Sequence, residues 1–189
     1  DFNFFIFFSK VRIIREILNR LKCIPNGYKI FMDQVINENI KFANAGKHIP
    51  EKDNSVHVIY SSHMLEHLDS EETEVFLSES KRILVNDGII RIVVPDFEKL
   101  INNYQKNKNP QQFIEDSCLS GEKPKTLIKK IQYIVQGHGW HFCMYNRKSI
   151  IELFKKHGFS NIKVIPPGKT MISQTEGLDL YAHETSSLY

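Results

Sequence analysis

Residues 56 to 67, Val-His-Val-Ile-Tyr-Ser-Ser-His-Met-Leu-Glu-His, constrain this chain more than any other stretch. Val56, Val58 and Tyr60 alternate with His57, Ile59 and Ser61 in a β-branched and aromatic run, the pattern of a buried strand. Polar Ser61, Ser62 and His63 then stand where apolar packing would continue. Met64, Leu65 and Leu68 take up roughly helical spacing before the acidic run from Asp69 to Glu74. In an open α/β sheet, ligands bind at the carboxyl ends of strands, so this joint is where function is expected.

The rest of the chain alternates in the same way. Val11, Ile14, Ile17, Leu18 and Leu21 mark one face of an amphipathic helix over 9–22, ended by Pro25 and Gly27. Tyr28 to Met32 reads as a short strand or an extended connection, and Ile40 to Ala43 as a strand. A helix is expected from Ser70 to Leu84 with Val75, Phe76, Ser80, Ile83 and Leu84 on its buried side, closed by a glycine C-cap in Asn86-Asp87-Gly88. Ile89 to Val94 is apolar apart from Arg91, as in a parallel strand covered on both faces. It ends at Pro95-Asp96, and a helix follows through Leu100 and Tyr104. Ser149 to His157 reads as a helix capped by Gly158, and Asn161 to Ile165 as a strand stopped by Pro166-Pro167. This order predicts an α/β domain with a mainly parallel sheet. A single domain over 1–189 is expected, in which 105–137 form a lid or substrate cover because so long an irregular insertion commonly serves that purpose.

Composition narrows the function classes. An apolar fraction of 41% and a charged fraction of 25% fit a globular chain. The formal charge of +3 is carried by dispersed Lys and Arg, which gives no case for nucleic acid. Cys23, Cys118 and Cys143 are far apart and lack C-x-x-C spacing, so a reducing cytoplasm is expected rather than a disulfide framework. No run reaches the roughly 18 to 20 apolar residues of a membrane span. The nearest, Phe2 to Phe8, is followed rather than preceded by its positive charges, the reverse of a signal peptide.

The run Ile49-Pro50, Asp53-Asn54-Ser55-Val56, Val58 to His63, Leu65-Glu66-His67-Leu68, Arg82-Ile83-Leu84 and Gly88 to Asp96 resembles class I S-adenosylmethionine-dependent methyltransferases. It is most similar to their small-molecule group, often found in bacterial cell-surface sugar and secondary-metabolite pathways. Tyr145, Arg147-Lys148-Ser149, Leu153-Phe154, Gly158-Phe159, Asn161 and Val164 are similar to that group's last helix and strand. Leu178-Asp179 and Ser187-Leu188-Tyr189 resemble the approach to its final antiparallel strand.

The resemblance implies a Rossmann-like, mainly parallel sheet with helices on both faces, S-adenosyl-L-methionine as cofactor, and a small-molecule acceptor such as a sugar or cell-surface precursor. Ser61, Ser62 and His63 would border the cofactor, with Asn44 and Ala45 near the adenine. Asp1 or Asp33 would take the place of the acid that grips the ribose. Two departures stand out. The glycine-rich G-x-G-x-G loop and the first strand are missing, and both ends look clipped. The chain also has His57 and Asn44 where the family commonly has acids.

Glu66 and His67 are the candidate catalytic pair, His67 as a base because its ordinary pKa lies near neutrality. Trp140, His141 and Tyr145 are candidates for the acceptor pocket. This reading assigns no metal. Two alternatives remain: a degenerate methyltransferase-like binding domain, and a zinc hydrolase built on His63-Met64-Leu65-Glu66-His67, which matches H-x-x-E-H. The zinc motif requires both histidines on one helix, and His63 directly follows a strand.

Overall fold

A computed structural model describes residues 10, 26–38, 40–41, 43–119 and 140–189. Asp1, the expected helix over 9–22 apart from Lys10, and the expected cover from residue 120 to 137 lie outside the described residues. The chain divides into two compact units, Asp1–Ala43 with Glu122–His138, and Asn44–Gly121 with Gly139–Tyr189.

In the first unit Lys10 is helical, and the described residues include helix α1 (Asn26–Asn37). This corrects the strand expected at Tyr28 to Met32. Tyr28, Phe31, Met32 and Val35 recur at helical spacing, a period that a five-residue window hides. Val35 is fully buried. The strand expected at Ile40 to Ala43 is also absent: Ile40, Lys41 and Ala43 belong to no strand, and the Ile40 amide bonds the Val35 carbonyl at 3.0 Å. The carbonyls at the end of α1 capture this amide before it can pair in a sheet.

The second unit begins with a tight loop in which Asn44 and His48 form an isolated antiparallel bridge. Strand β1 (Val56–Ser62) follows, as the alternation predicts. Asp69 caps helix α2 (Ser70–Ile83) through a reciprocal box with Glu72, and Glu71 and Glu72 lie at its positive end. Its buried residues are Thr73, Phe76, Leu77, Ser80 and Ile83, close to the expected face, with Leu77 in place of Val75. Strand β2 (Leu84–Pro95) runs parallel to β1, which makes β1, α2 and β2 a βαβ unit.

The expected glycine cap is not used. Leu84 caps α2 in an extended conformation, and the Asn86-Asp87-Gly88 turn chemistry is spent inside β2. There the register slips from Val56 opposite Leu84 to Val58 opposite Ile89. Asp87 adopts φ +62°, and a Cβ on Gly88 would lie 2.9 Å from Leu84 Cδ2. These residues make a bulge.

Asp96 caps α3 (Phe97–Asn107) by accepting from the Glu98 amide at 3.0 Å. Helix α4 (Pro110–Ser117) starts with proline in its first turn, and a capping box between Asn146 and Ser149 opens α5 (Arg147–Lys156). Strand β3 (Ser187–Leu188) pairs antiparallel with Val94 and Pro95 of β2. Asn161 to Ile165 form no strand, contrary to expectation. The Ile165 amide bonds the Tyr189 carbonyl at 3.0 Å, and Pro166-Pro167 offer no amide to carry a ladder further.

Among the described residues the sheet has strand order β1-β2-β3, a small mixed sheet of Rossmann-like α/β kind. The outer edge of β1 carries no strand there, and Val58 is 39% exposed. Leu65, Phe76, Leu77, Val94, Tyr145, Ile150, Phe154 and Leu188 form one buried apolar cluster, so the core lies directly under the end of β1. No helix among the described residues is long and apolar enough to cross a membrane.

Candidate functional site

The site starts where β1 stops. His63 donates its amide to the Val93 carbonyl at 2.9 Å, one residue past the strand, and turns the chain with φ +52°. A non-glycine residue in this left-handed region carries a conformational cost, here held in place by the contacts of its ring. A short 3-10 turn, Leu65–His67, follows. It sends Leu65 and Glu66 inward, to 0% and 1% exposure, and leaves His67 half-buried.

A second segment is laced onto this turn. The Phe142 and Cys143 amides both donate to the Glu66 carbonyl, at 2.8 and 3.2 Å, and the His141 amide donates to the Cys118 carbonyl at 3.1 Å. His67 Nδ1 lies 2.9 Å from the Trp140 carbonyl. The His67 and His141 rings meet edge to face, with centroids 4.9 Å apart. Residues more than seventy positions apart are therefore brought onto the Glu66–His67 turn.

The Glu66 carboxylate is unevenly satisfied. Oε1 accepts from His63 Nδ1 at 3.1 Å and lies 4.0 Å from His141 Nε2, whereas Oε2 is buried without a partner. Leaving such an oxygen unpaired costs about 1–3 kcal/mol, and more when the group is charged. His63 Nε2 lies 2.9 Å from Ser187 Oγ, which ties β3 to the site. The two ring nitrogens of His63 thus bridge the Glu66 carboxylate and the Ser187 hydroxyl. Burial pushes the His141 imidazole down from its ordinary pKa, partly offset by the charge of Glu66. Burial also pushes the Tyr145 phenol well up.

Of the residues singled out from sequence, His63, Glu66, His67, Trp140 and His141 come together. Tyr145 sits in the apolar cluster beside Leu65, where Phe97 donates its amide to the Tyr145 carbonyl at 2.9 Å. Ser62 pairs with Val93, and Ser61 has a hydroxyl that is buried without a partner at the strand's end. Asn44 and Ala45 lie on the separate loop before β1. Asn44 Oδ1 accepts from the Gly46 amide at 3.1 Å, and Ala45 packs against the core. Asp33 lies on α1 in the other unit and is exposed.

The H-x-x-E-H arrangement does not form. His63 lies before the three-residue turn rather than on a helix with His67, and both of its ring nitrogens are engaged. In the sequence Ser187 reads only as part of the approach to a final strand and not as a site residue. Nothing local marks a serine that meets a histidine 124 residues away.

A βαβ unit with a polar, carboxylate-centred cluster at the carboxyl end of its first strand is the ligand-binding geometry of a Rossmann-like enzyme. The model of the methyltransferase domain family matches residues 11–164, and the chain belongs to that family, within the class I S-adenosylmethionine-dependent methyltransferases. No curated protein and no solved structure matches the chain. Methyltransferase domains of this class generally use S-adenosylmethionine. The orphaned Ser61 hydroxyl fits such a ligand, because a bound polar group would supply the partner it lacks. Asn44 fits less well, since Gly46 already holds its oxygen.

Proposed function

We propose that this chain binds S-adenosylmethionine at the end of β1 and methylates a small molecule, a sugar or cell-surface precursor being the favoured class. The cofactor supplies an electrophilic methyl group on a sulfonium. The chain's own task is to align the acceptor, exclude water and remove a proton where the acceptor keeps one. Ser61, Ser62 and His63 border the cofactor, with Asn44 and Ala45 on the neighbouring loop. Trp140 and His141 form the acceptor side, with Tyr145 packed in the apolar cluster.

His67 is the base in this reading, and Glu66 positions the imidazoles around it. The observation that carries the reading is the His67 hydrogen bond to Trp140. A carbonyl only accepts, so Nδ1 holds the proton and Nε2 keeps a lone pair for the acceptor.

Calorimetric titration of the full chain with S-adenosylhomocysteine tests the reading. Stoichiometric binding that weakens in Ser61→Ala supports it. Absence of binding overturns it in favour of a methyltransferase-like domain without catalysis.

A further inference from the structure

Three side chains of metal-ligating type converge at the site. One ligand atom from each of Glu66, His67 and His141 lies within 4.8 Å of the other two. Glu66 is 1% exposed, and its Oε2 has no hydrogen-bond partner. His141 Nδ1 is also buried without one, and the side chain is 10% exposed. A buried carboxylate with one oxygen unpartnered is a costly arrangement unless a positive charge joins it.

We propose that Glu66, His67 and His141 bind a first-row divalent cation, through one carboxylate oxygen and one nitrogen of each imidazole. Two histidines and one carboxylate suit zinc, iron(II), cobalt and manganese better than calcium or magnesium, which favour all-oxygen sites. Ligand bonds of about 2.0–2.2 Å set the donors of a tetrahedral ion about 3.4 Å apart, so a spacing of at most 4.8 Å closes by up to about 1.4 Å through side-chain rotation.

The surroundings already hold the ligands in the manner metal sites require. His67 is oriented by the Trp140 carbonyl through Nδ1, which leaves Nε2 for the ion, and His63 anchors the Glu66 carboxylate through Oε1. Three protein ligands leave a position open for water or an acceptor oxygen. A cation there would occupy the lone pair that His67 otherwise offers as a base and would itself acidify the bound oxygen. That consequence rests on the methyl-transfer reading, whereas the binding site does not.

This grouping differs from both sequence expectations. The favoured reading assigned no metal, and the alternative joined His67 to His63. His141 takes the place of His63, and Glu66 is a ligand rather than a water-activating base.

The test uses the full chain, stripped with a chelator and titrated separately with zinc and cobalt. The expected result is one equivalent of either ion, with cobalt showing the intense visible bands of a low-coordinate nitrogen and oxygen site. His67→Ala and His141→Ala should each weaken zinc binding at least tenfold, whereas His57→Ala, on an exposed side chain of β1, should leave it unchanged. Sub-stoichiometric uptake, a cobalt spectrum like that of the hydrated ion, or full affinity in His141→Ala would overturn the proposal. Circular dichroism reports whether each variant folds, and where one does not, the wild-type cobalt spectrum decides. Titration with S-adenosylhomocysteine is read independently, so loss of one proposal leaves the other standing.

Discussion

His67 gives its Nδ1 proton to the carbonyl of Trp140 across 2.9 Å, so a backbone group 73 residues away fixes the tautomer of the imidazole. The consequence is a lone pair on Nε2 whose direction is set by the fold. If that lone pair takes the acceptor's proton, His67→Ala lowers methyl transfer by about 100-fold or more, the usual contribution of a positioned base. S-adenosylhomocysteine affinity should change little. The measurement is transfer of labelled methyl from S-adenosylmethionine into acceptor mixtures, alongside calorimetry. A His67→Ala enzyme of undiminished rate would remove the base from the mechanism.

Asp69 and Glu72 close the amino end of α2 reciprocally, with Glu72 N to Asp69 Oδ1 at 2.9 Å and Asp69 N to Glu72 Oε2 at 3.2 Å. Asp69→Ala removes a cap at the helix that carries Phe76 and Leu77 into the core. A loss of about 1 kcal/mol in urea unfolding is expected. No loss would mean that water satisfies these amides equally well.

The parts of the fold written in local sequence were legible. The alternation through Tyr60 and the apolar run around Ile92 identified β1 and β2, and Gly158 marked the end of α5. Where the reading failed, local chemistry had more than one use. Asn86-Asp87-Gly88 is good turn chemistry, but the chain spends it on a bulge. Tyr28 to Met32 is apolar enough for a strand, and only the longer period through Val35 shows a helix. At the site, Glu66 and His67 could be found because they adjoin a strand end. Their relation to His141, and that of His63 to Ser187, depends on loops from distant parts of the chain, and no local pattern encodes which histidine meets the carboxylate.

Arg82 links α2 to the loop before β1. It donates to Glu79 at 2.7 Å, to Asp53 at 2.7 Å, and to the carbonyls of Glu51 and Ile49 at 2.8 and 2.9 Å. This hydrogen bond, with help from the Ile49 amide, holds the Glu79 carboxyl at about 2 against an ordinary 4.5. A depressed folded-state pKa means that the unfolded chain binds the proton first as pH falls. The contribution of Glu79 is therefore complete above about pH 4.5 and is lost as pH drops toward 2. Urea midpoints measured across this window should fall in the wild type and fall less steeply in Glu79→Gln. Parallel slopes would show that other carboxyls govern acid unfolding.

Gly46 and Glu72 approach so closely that the loop before β1 and the start of α2 act as one unit. A Cβ on Gly46 would lie 2.9 Å from Glu72 Cβ and 3.1 Å from its Cγ, so Gly46→Ala displaces the side chain that closes the capping box. Overpacking of this kind costs about 1–3 kcal/mol. Part of that cost should be the box itself, because the shifted Glu72 no longer reaches the Asp69 amide. Residues in direct contact give non-additive effects, with coupling of about 0.5–3 kcal/mol. The Gly46→Ala and Asp69→Ala double variant should thus lose less stability than the two single changes together. Strict additivity in a urea-unfolding cycle would show that Glu72 moves aside without giving up its hydrogen bond.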